Sequence, residues 1–219
     1  MTNGNPGRRL TCGSLFSGYG GLDLAVEEVF DAETIWFAET DPAAARVYSS
    51  HWPGIPNLGD VTAVDWGQVE PVDVLCGGFP CQDLSEAGVG RGLAPGTRSG
   101  LWAEMATAIS VLRPSWVVAE NVRGLLSAPA APTPAQPEPG GGREPTGTGA
   151  VRGFGTSLWG VADLPGRPQR AMGAVLADLA RLRYDTQWVG LPASTVGAPH
   201  PRFRIFILAR TAVQDPNGL

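Results

Sequence analysis

The stretch Leu10-Thr-Cys-Gly-Ser-Leu-Phe-Ser-Gly-Tyr-Gly-Gly-Leu-Asp-Leu-Ala-Val-Glu-Glu-Val-Phe30 decides the fold. Leu10–Phe16 is an apolar run of strand length. It breaks at Ser17-Gly-Tyr-Gly-Gly21, after which Leu22, Val26, Val29 and Phe30 recur at the spacing of one helix face. A second short apolar run, Thr34–Ala38, follows and ends at Glu39-Thr-Asp41. Strand, glycine turn, helix and strand in this order predict a parallel crossover unit.

Outward from that unit the alternation continues. Asp41 and Pro42 suit the cap and first turn of a helix running to about Ser50. Val72–Cys76 reads as a strand, Leu101–Leu112 as a helix closed by Pro114, and Trp116–Ala119 as a buried strand ending at Glu120-Asn121. Ala171–Leu182 carries Met172, Val175, Leu176 and Leu179 on one helical face. Tyr184–Val189 and Arg204–Ala209 read as two further strands. Strands alternating with helices predict an α/β domain with a mostly parallel sheet and helices on both faces. The expected organisation is a flexible start (1–9), a core region (10–127), an insertion (128–170), the rest of the core (171–210) and a tail (211–219). The insertion is inferred because Ala128–Thr148 is dominated by Pro, Gly, Ala and Thr and has no apolar periodicity.

Composition narrows the function classes. The chain has 219 residues, 43% of them hydrophobic, and no apolar stretch long enough to span a bilayer. Its first nine residues do not read as a secretory signal. Three cysteines without a CxxC pair and only two histidines, His51 and His200, argue against a disulfide framework or a Cys/His zinc site. A reducing cytoplasm is the expected compartment. All sixteen basic residues are arginine, which excludes a Walker-type phosphate loop and Schiff-base chemistry. The net charge of −5 argues mildly against self-sufficient binding to duplex DNA.

The chemistry-bearing residues fall at strand ends. In Asp73-Val-Leu-Cys-Gly-Gly-Phe-Pro-Cys-Gln-Asp-Leu-Ser85 an apolar strand stops at two glycines, and Cys81 follows Pro80 on the turn beyond. A loop at the carboxyl end of a strand is where an open α/β sheet places a nucleophile. The glycine turn does not have the G-x-G-x-x-G spacing, which disfavours a nicotinamide oxidoreductase. Glu39, closing the second strand about twenty residues on, suits ribose hydroxyls. Asp60, in Leu58-Gly-Asp-Val61, could flank an adenine. Together these acids and the turn favour an adenosine-containing cofactor. Each feature also has a structural alternative: a tight turn, a turn aspartate, a cysteine in a Gly/Pro loop, a capping or ion-paired Glu120. Cys81 and Glu120 on neighbouring strands fit the activation of a pyrimidine. A thiolate adding at C6 makes C5 enamine-like, and a carboxylic acid at N3 stabilises the resulting charge.

These residues resemble a family, the DNA (cytosine-5) methyltransferases. The matching runs are Leu15–Asp23, Glu39–Asp41, Gly59–Val61, Gly77–Gln82, Thr97–Trp102, Glu120–Val122 and Gly197–Arg204. The resemblance implies a Rossmann-like, S-adenosylmethionine-dependent methyltransferase fold. It puts Phe16, Gly18, Gly20, Gly21, Glu39, Thr40, Asp60, Val61, Pro80 and Leu101 at S-adenosyl-L-methionine. Cys81 would be the nucleophile, Glu120 the N3 partner, and Arg202 and Arg204 the arginines at a flipped cytosine. Phe79, Gln82, Ser85 and Asn121 would lie at the substrate, and Asp83–Gly100 would close over the extruded base. No metal is implied. His200 stands where the family more often has Gln; a structural or DNA-contact role is expected for it, and His51 is expected at the surface.

The family usually continues into a target-recognition domain and two further motifs, whereas this sequence stops at Leu219. The expected partner is therefore DNA, in a bacterial or phage modification system and without a membrane, and the chain is read either as one part of a split enzyme, a second chain supplying the missing parts, or as a truncated, catalytically incomplete gene product. A catalytically silent scaffold and an RNA cytosine methyltransferase are the alternatives.

Overall fold

The computed structural model describes residues 8–80, 101–128 and 170–212. Six strands form one sheet in the order β2-β1-β3-β4-β6-β5. They are β1 (Leu10–Leu15), β2 (Ala32–Ala38), β3 (Val74–Gly77), β4 (Trp116–Val122), β5 (Tyr184–Pro192) and β6 (Phe203–Thr211). Pairing is parallel from β2 through β1 and β3 to β4. It is antiparallel where β6 joins β4 and β5. The sheet is thus mixed, with its parallel half at the amino-terminal side of the sequence.

Among the described residues four α-helices cover it: α1 (Gly21–Phe30), α2 (Pro42–His51), α3 (Leu101–Leu112) and α4 (Ala171–Arg181). As expected, Pro42 opens α2 and the Asp41 side chain caps it, accepting from the amides of Ala43 and Ala44. The main core lies between the sheet and α3 and α4. It joins Leu15, Leu75, Val117, Ala119, Ile205 and Ile207 to Met105, Ile109, Val175 and Leu179. A smaller cluster on the opposite face joins Cys12, Val74 and Cys76 to Val26 of α1. No described helix is long and apolar enough to cross a membrane.

Three local features differ from the sequence expectation. The helix face expected from Leu22, Val26, Val29 and Phe30 is rotated: Val29 is 78% exposed, while Asp23 is only 1% exposed. The cause is a polar partner for Asp23 on α2, the Tyr48 hydroxyl. Second, β2 carries an extra residue. Cys12 pairs with Thr34 but Gly13 pairs with Trp36, so Ile35 is left over. A β-carbon at Gly13 would lie 2.2 Å from the Trp36 ring, so only glycine accommodates the indole there. Third, β4 does not stop at Ala119. Its parallel partner β3 ends at Gly77, opposite Ala119. Antiparallel pairing with β6 continues, with Glu120 opposite Phe206 and Asn121 opposite Ile205. Glu120 is therefore held within a strand, where the sequence had it just beyond one.

The segment 129–169, nearly the whole expected insertion, lies outside the described residues. Its flanks meet: the Ala171 amide donates to the Ala128 carbonyl at 2.9 Å, and Arg170 donates to the Ser127 carbonyl at 3.1 Å.

Candidate functional site

A cleft of about 410 Å³ opens at the carboxyl ends of β1, β2 and β3. It is lined by Phe16, Ala38, Glu39, Thr40, Gly59, Asp60, Val61, Thr62, Gly78, Pro80 and Leu101. Its size is that of a small-molecule site, and its place is where open α/β sheets take ligands. Seven of the ten residues expected at a cofactor line it: Phe16, Glu39, Thr40, Asp60, Val61, Pro80 and Leu101.

The three expected glycines are not among the residues that line the cleft. Gly18 donates its amide to Glu39 Oε2 at 2.8 Å. Gly20, at φ 83°, packs so closely on Trp52 that a β-carbon would lie 2.3 Å from the indole. Gly21 is exposed at the first position of α1. The glycines shape the turn and the side chains around it form the surface.

Glu39 is built into the cleft from two sides. Oε2 takes the Gly18 amide, and Oε1 takes the Asp41 amide at 2.7 Å. Its backbone is clamped by Asn57, which accepts from the Glu39 amide at 3.1 Å and donates to its carbonyl at 3.0 Å. Each carboxylate oxygen keeps a lone pair for a further donor. Asp60 is a turn residue as well as a wall residue: Oδ1 accepts from the Thr62 amide and hydroxyl, at 2.9 and 2.8 Å. Those two bonds hold its pKa below the ordinary carboxylate range. Phe16, where the chain leaves β1, has φ 54°, a left-handed backbone that a non-glycine residue adopts only at a cost.

The second half of the site lies next to the cleft. Glu120 forms an ion pair with Arg204 from the neighbouring strand. Both side chains are about three-quarters covered, 25% and 23% exposed. Burial raises the Glu120 pKa above its ordinary value, against the opposing pull of Arg204 and Arg202. Arg202 is exposed, and its amide donates to His200 Nδ1 at 3.4 Å. His200 is exposed, as is His51 at the end of α2.

Gly77 and Gly78 explain why β3 ends as it does. A β-carbon at Gly77 would sit 2.7 Å from the Leu15 carbonyl, and one at Gly78 would sit 3.2 Å from Glu120 Oε2. The first glycine lets β3 close against β1. The second lets the carboxylate of Glu120 settle over the strand exit, and it also lines the cleft.

Two residues expected at the substrate are buried. Phe79 is 2% exposed and packs its ring 5.1 Å from that of Trp102. Asn121 is also buried; its side-chain nitrogen donates to the Phe79 carbonyl at 3.0 Å, and its oxygen accepts from the Val122 amide. Each end of the amide thus has one partner within the protein, and at 2% exposure the side chain does not reach the cleft surface. Both residues lock the turn that ends at Pro80. Cys81, Gln82 and Ser85 lie outside the described residues.

Sequence reasoning missed Ala38, Gly59, Thr62 and Gly78 in the cleft wall, and Asn57 and Asp23 behind it. Gly78 was visible as the second glycine at the strand end. Asn57 in Pro56-Asn-Leu-Gly59 carried only a turn signal, and its partner Glu39 is eighteen residues away.

The family described as C-5 cytosine-specific DNA methylase matches residues 10–134. The type II methyltransferase M2.BsuMI of Bacillus subtilis is 38% identical over 117 residues, covering 52% of this chain and 29% of that protein. A DNA N-6-adenine-methyltransferase of Escherichia phage P1 is 38% identical over 132 residues, covering 55% of this chain and 17% of that protein. The chain thus spans less than a third of either relative. The crystal structure of the S. pombe Dnmt2 methyltransferase superposes with a TM-score of 0.63 at 15% identity, over 94% of this chain and 52% of that one. The likeness in three dimensions shows the Rossmann-like methyltransferase fold.

Proposed function

Because the chain belongs to the C-5 cytosine-specific DNA methylase family, we propose that it carries the cofactor-binding and catalytic part of an enzyme that methylates C5 of cytosine in DNA. The donor is S-adenosylmethionine, which supplies an electrophilic methyl group when bound. The setting is a bacterial or phage modification system. One observation carries the reading most. Gly78 lines the cleft and at the same time abuts the Glu120 carboxylate, so donor site and acid flank the strand exit that leads through Pro80 to Cys81.

The cleft fits the donor chemically. Glu39 presents an ordered acceptor for ribose hydroxyls, Asp60 retains a free oxygen for an amino group, and Phe16, Val61 and Leu101 offer apolar surface. Phe16, Gly18, Gly20, Gly21, Thr40 and Pro80 complete this assignment, the glycines acting through the shape of the turn.

On the substrate side the Cys81 sulfur adds as thiolate to C6, and its electron pair moves through the ring towards N3. Glu120, whose burial favours the protonated form, supplies a hydrogen bond or proton at N3. Arg204, held against Glu120, is placed to turn to the base carbonyl, with Arg202 beside it. C5 would then take the methyl group, the donor leaving as the neutral thioether; loss of the C5 proton to a base and return of the N3 proton to Glu120 let the C6–S bond break and return Cys81 as thiolate. The cytosine must leave the duplex for a thiolate to approach C6 from one ring face.

Residues 10–127 and 171–210 form the catalytic part in this reading, with 128–170 inserted between them. In this reading, recognition of the DNA sequence falls to a target-recognition domain outside residues 10–210. A second reading comes from the phage relative named as an adenine methyltransferase. Transfer to an adenine amino group needs no cysteine adduct, so one variant separates the two.

The test is transfer of labelled methyl from S-adenosylmethionine to unmodified mixed-sequence DNA, with product nucleosides identified. Label in 5-methylcytosine with wild type, and none with Cys81→Ser, is expected. Label in adenine, or undiminished transfer by Cys81→Ser, would refute the proposal. No label from the chain alone would refute self-sufficiency; transfer restored by a second chain bearing a recognition domain would then support the catalytic assignment.

A further inference from the structure

Beneath the glycine turn lies a buried polar relay that the mechanism does not use. Asp23, in the first turn of α1, accepts a hydrogen bond from the Tyr48 hydroxyl of α2 at 2.7 Å. The Ser14 hydroxyl lies near enough to the Asp23 carboxyl to oppose the rise in its pKa that burial causes, and it donates to Ser17 Oγ at 2.8 Å. Ser17 stands inside the turn. Its carbonyl accepts from the Gly20 amide at 2.9 Å, and its amide donates to the Ala38 carbonyl at 3.4 Å. Tyr48 is itself fixed between two rings, stacked on Phe37 at 4.0 Å and on Trp52 at 4.4 Å. Trp52 in turn seats Gly20. Two groups thus underlie the turn: the Asp23–Tyr48 pair, seated against Gly20 through Trp52, and the Ser14–Ser17 pair, which reaches Ala38 in the cleft wall.

A buried carboxyl is an expensive choice for filling space, since an apolar side chain of the same shape costs less to bury. The turn above it needs holding. Phe16, Gly18 and Gly20 all have positive φ; glycine takes it freely, but Phe16 persists there only where its surroundings over-determine it.

Building on the cofactor reading above, we propose that Asp23 is a positioning residue: with Tyr48 and Ser14 it holds the Phe16–Gly21 turn in the shape that receives the cofactor, and so sets cofactor affinity as well as contributing to the fold. Glu39 holds the same turn from the cleft side through the Gly18 amide. The turn is thus fixed between two carboxyl groups, one exposed to ligand and one sealed below.

The test uses the full chain and titration calorimetry with S-adenosylmethionine and S-adenosylhomocysteine, alongside thermal melts. Asp23→Asn and Tyr48→Phe should each weaken binding about tenfold, the scale of losing one hydrogen bond to a charged group. Leu179→Ala, in the core on the opposite face of the sheet, should lower the melting temperature at least as much and leave affinity within about twofold. Amides of Gly18 and Gly20 should exchange faster with solvent in both relay variants, while those of Leu75 and Ile207 do not. Should Asp23→Asn fail to fold, Tyr48→Phe and Ser14→Ala carry the test. Variants that bind as tightly as wild type, or a Leu179→Ala that binds as weakly as they do, would overturn the relay alone. A wild type that binds neither compound would overturn the cofactor reading, and the proposal with it.

Discussion

Replacing Glu120 by Gln separates two roles that the structure gives one side chain. Glu120 and Arg204 are ion-paired and each about three-quarters covered. Two unit charges about 4 Å apart attract by about 4 kcal/mol at an effective dielectric constant of about 20. Removing a carboxylate from water costs several kcal/mol, of the same order. The raised pKa of Glu120 fixes the sign of the difference, because burial outweighs both arginines. In the folded chain Glu120 binds its proton more readily than in the unfolded chain. Its ionisation therefore lowers stability by an amount fully present above the folded pKa, and that loss disappears as pH falls from the folded value towards the ordinary 4.5.

A neutral isostere removes this penalty and the attraction together. Glu120→Gln should lie within about 1 kcal/mol of wild type at pH 8, far from the 3–5 kcal/mol typical of a broken buried pair. Urea denaturation from pH 8 down to pH 5 is the assay. Wild type should gain stability relative to the variant as pH falls. Methyl transfer by the variant should drop about 10²–10⁴-fold, the range for a lost acid–base group. A loss of about 3 kcal/mol or more at pH 8 would refute the energetic reasoning, as would parallel pH profiles.

Other substitutions probe the remaining parts. Cys81→Ser should retain the wild-type affinity for S-adenosylmethionine and lose detectable transfer; calorimetry and a labelled-methyl assay read the two separately. Glu39→Gln should keep the fold but weaken cofactor binding about tenfold, since an amide replaces a charged acceptor; titration measures it. Gly77→Ala places a methyl 2.7 Å from the Leu15 carbonyl, and the strands cannot part cheaply, so a loss of about 1–3 kcal/mol is expected in urea melts. Asn121→Ala leaves the buried Phe79 carbonyl without its partner; it should cost about 1–3 kcal/mol and reduce transfer through the loosened turn before Cys81.

The sequence by itself determined the elements, their order and the family. Hydrophobic period, Pro42 after Asp41, and the glycines at Gly18, Gly20, Gly77 and Gly78 are local signals, and local sterics and capping act over a few residues. The chemistry-bearing residues were legible because they stand where such signals change, at strand ends: Glu39 after β2, Cys81 beyond β3, Glu120 near the end of the β3 partner. Tertiary structure alone decided which faces they present. Asn121 turns inward because β4 continues beside β6 after β3 has ended, and Phe79 is buried against Trp102 of α3; neither neighbour is encoded in the adjacent residues. Asp23 turns inward and Val29 outward because a phenol from α2, twenty-five residues away, meets the carboxyl. Glu120 has a raised pKa because Arg204, on a strand 84 residues later, offsets only part of its burial. Hydrogen bonds and desolvation depend on three-dimensional neighbours, and those exist only once the sheet has assembled.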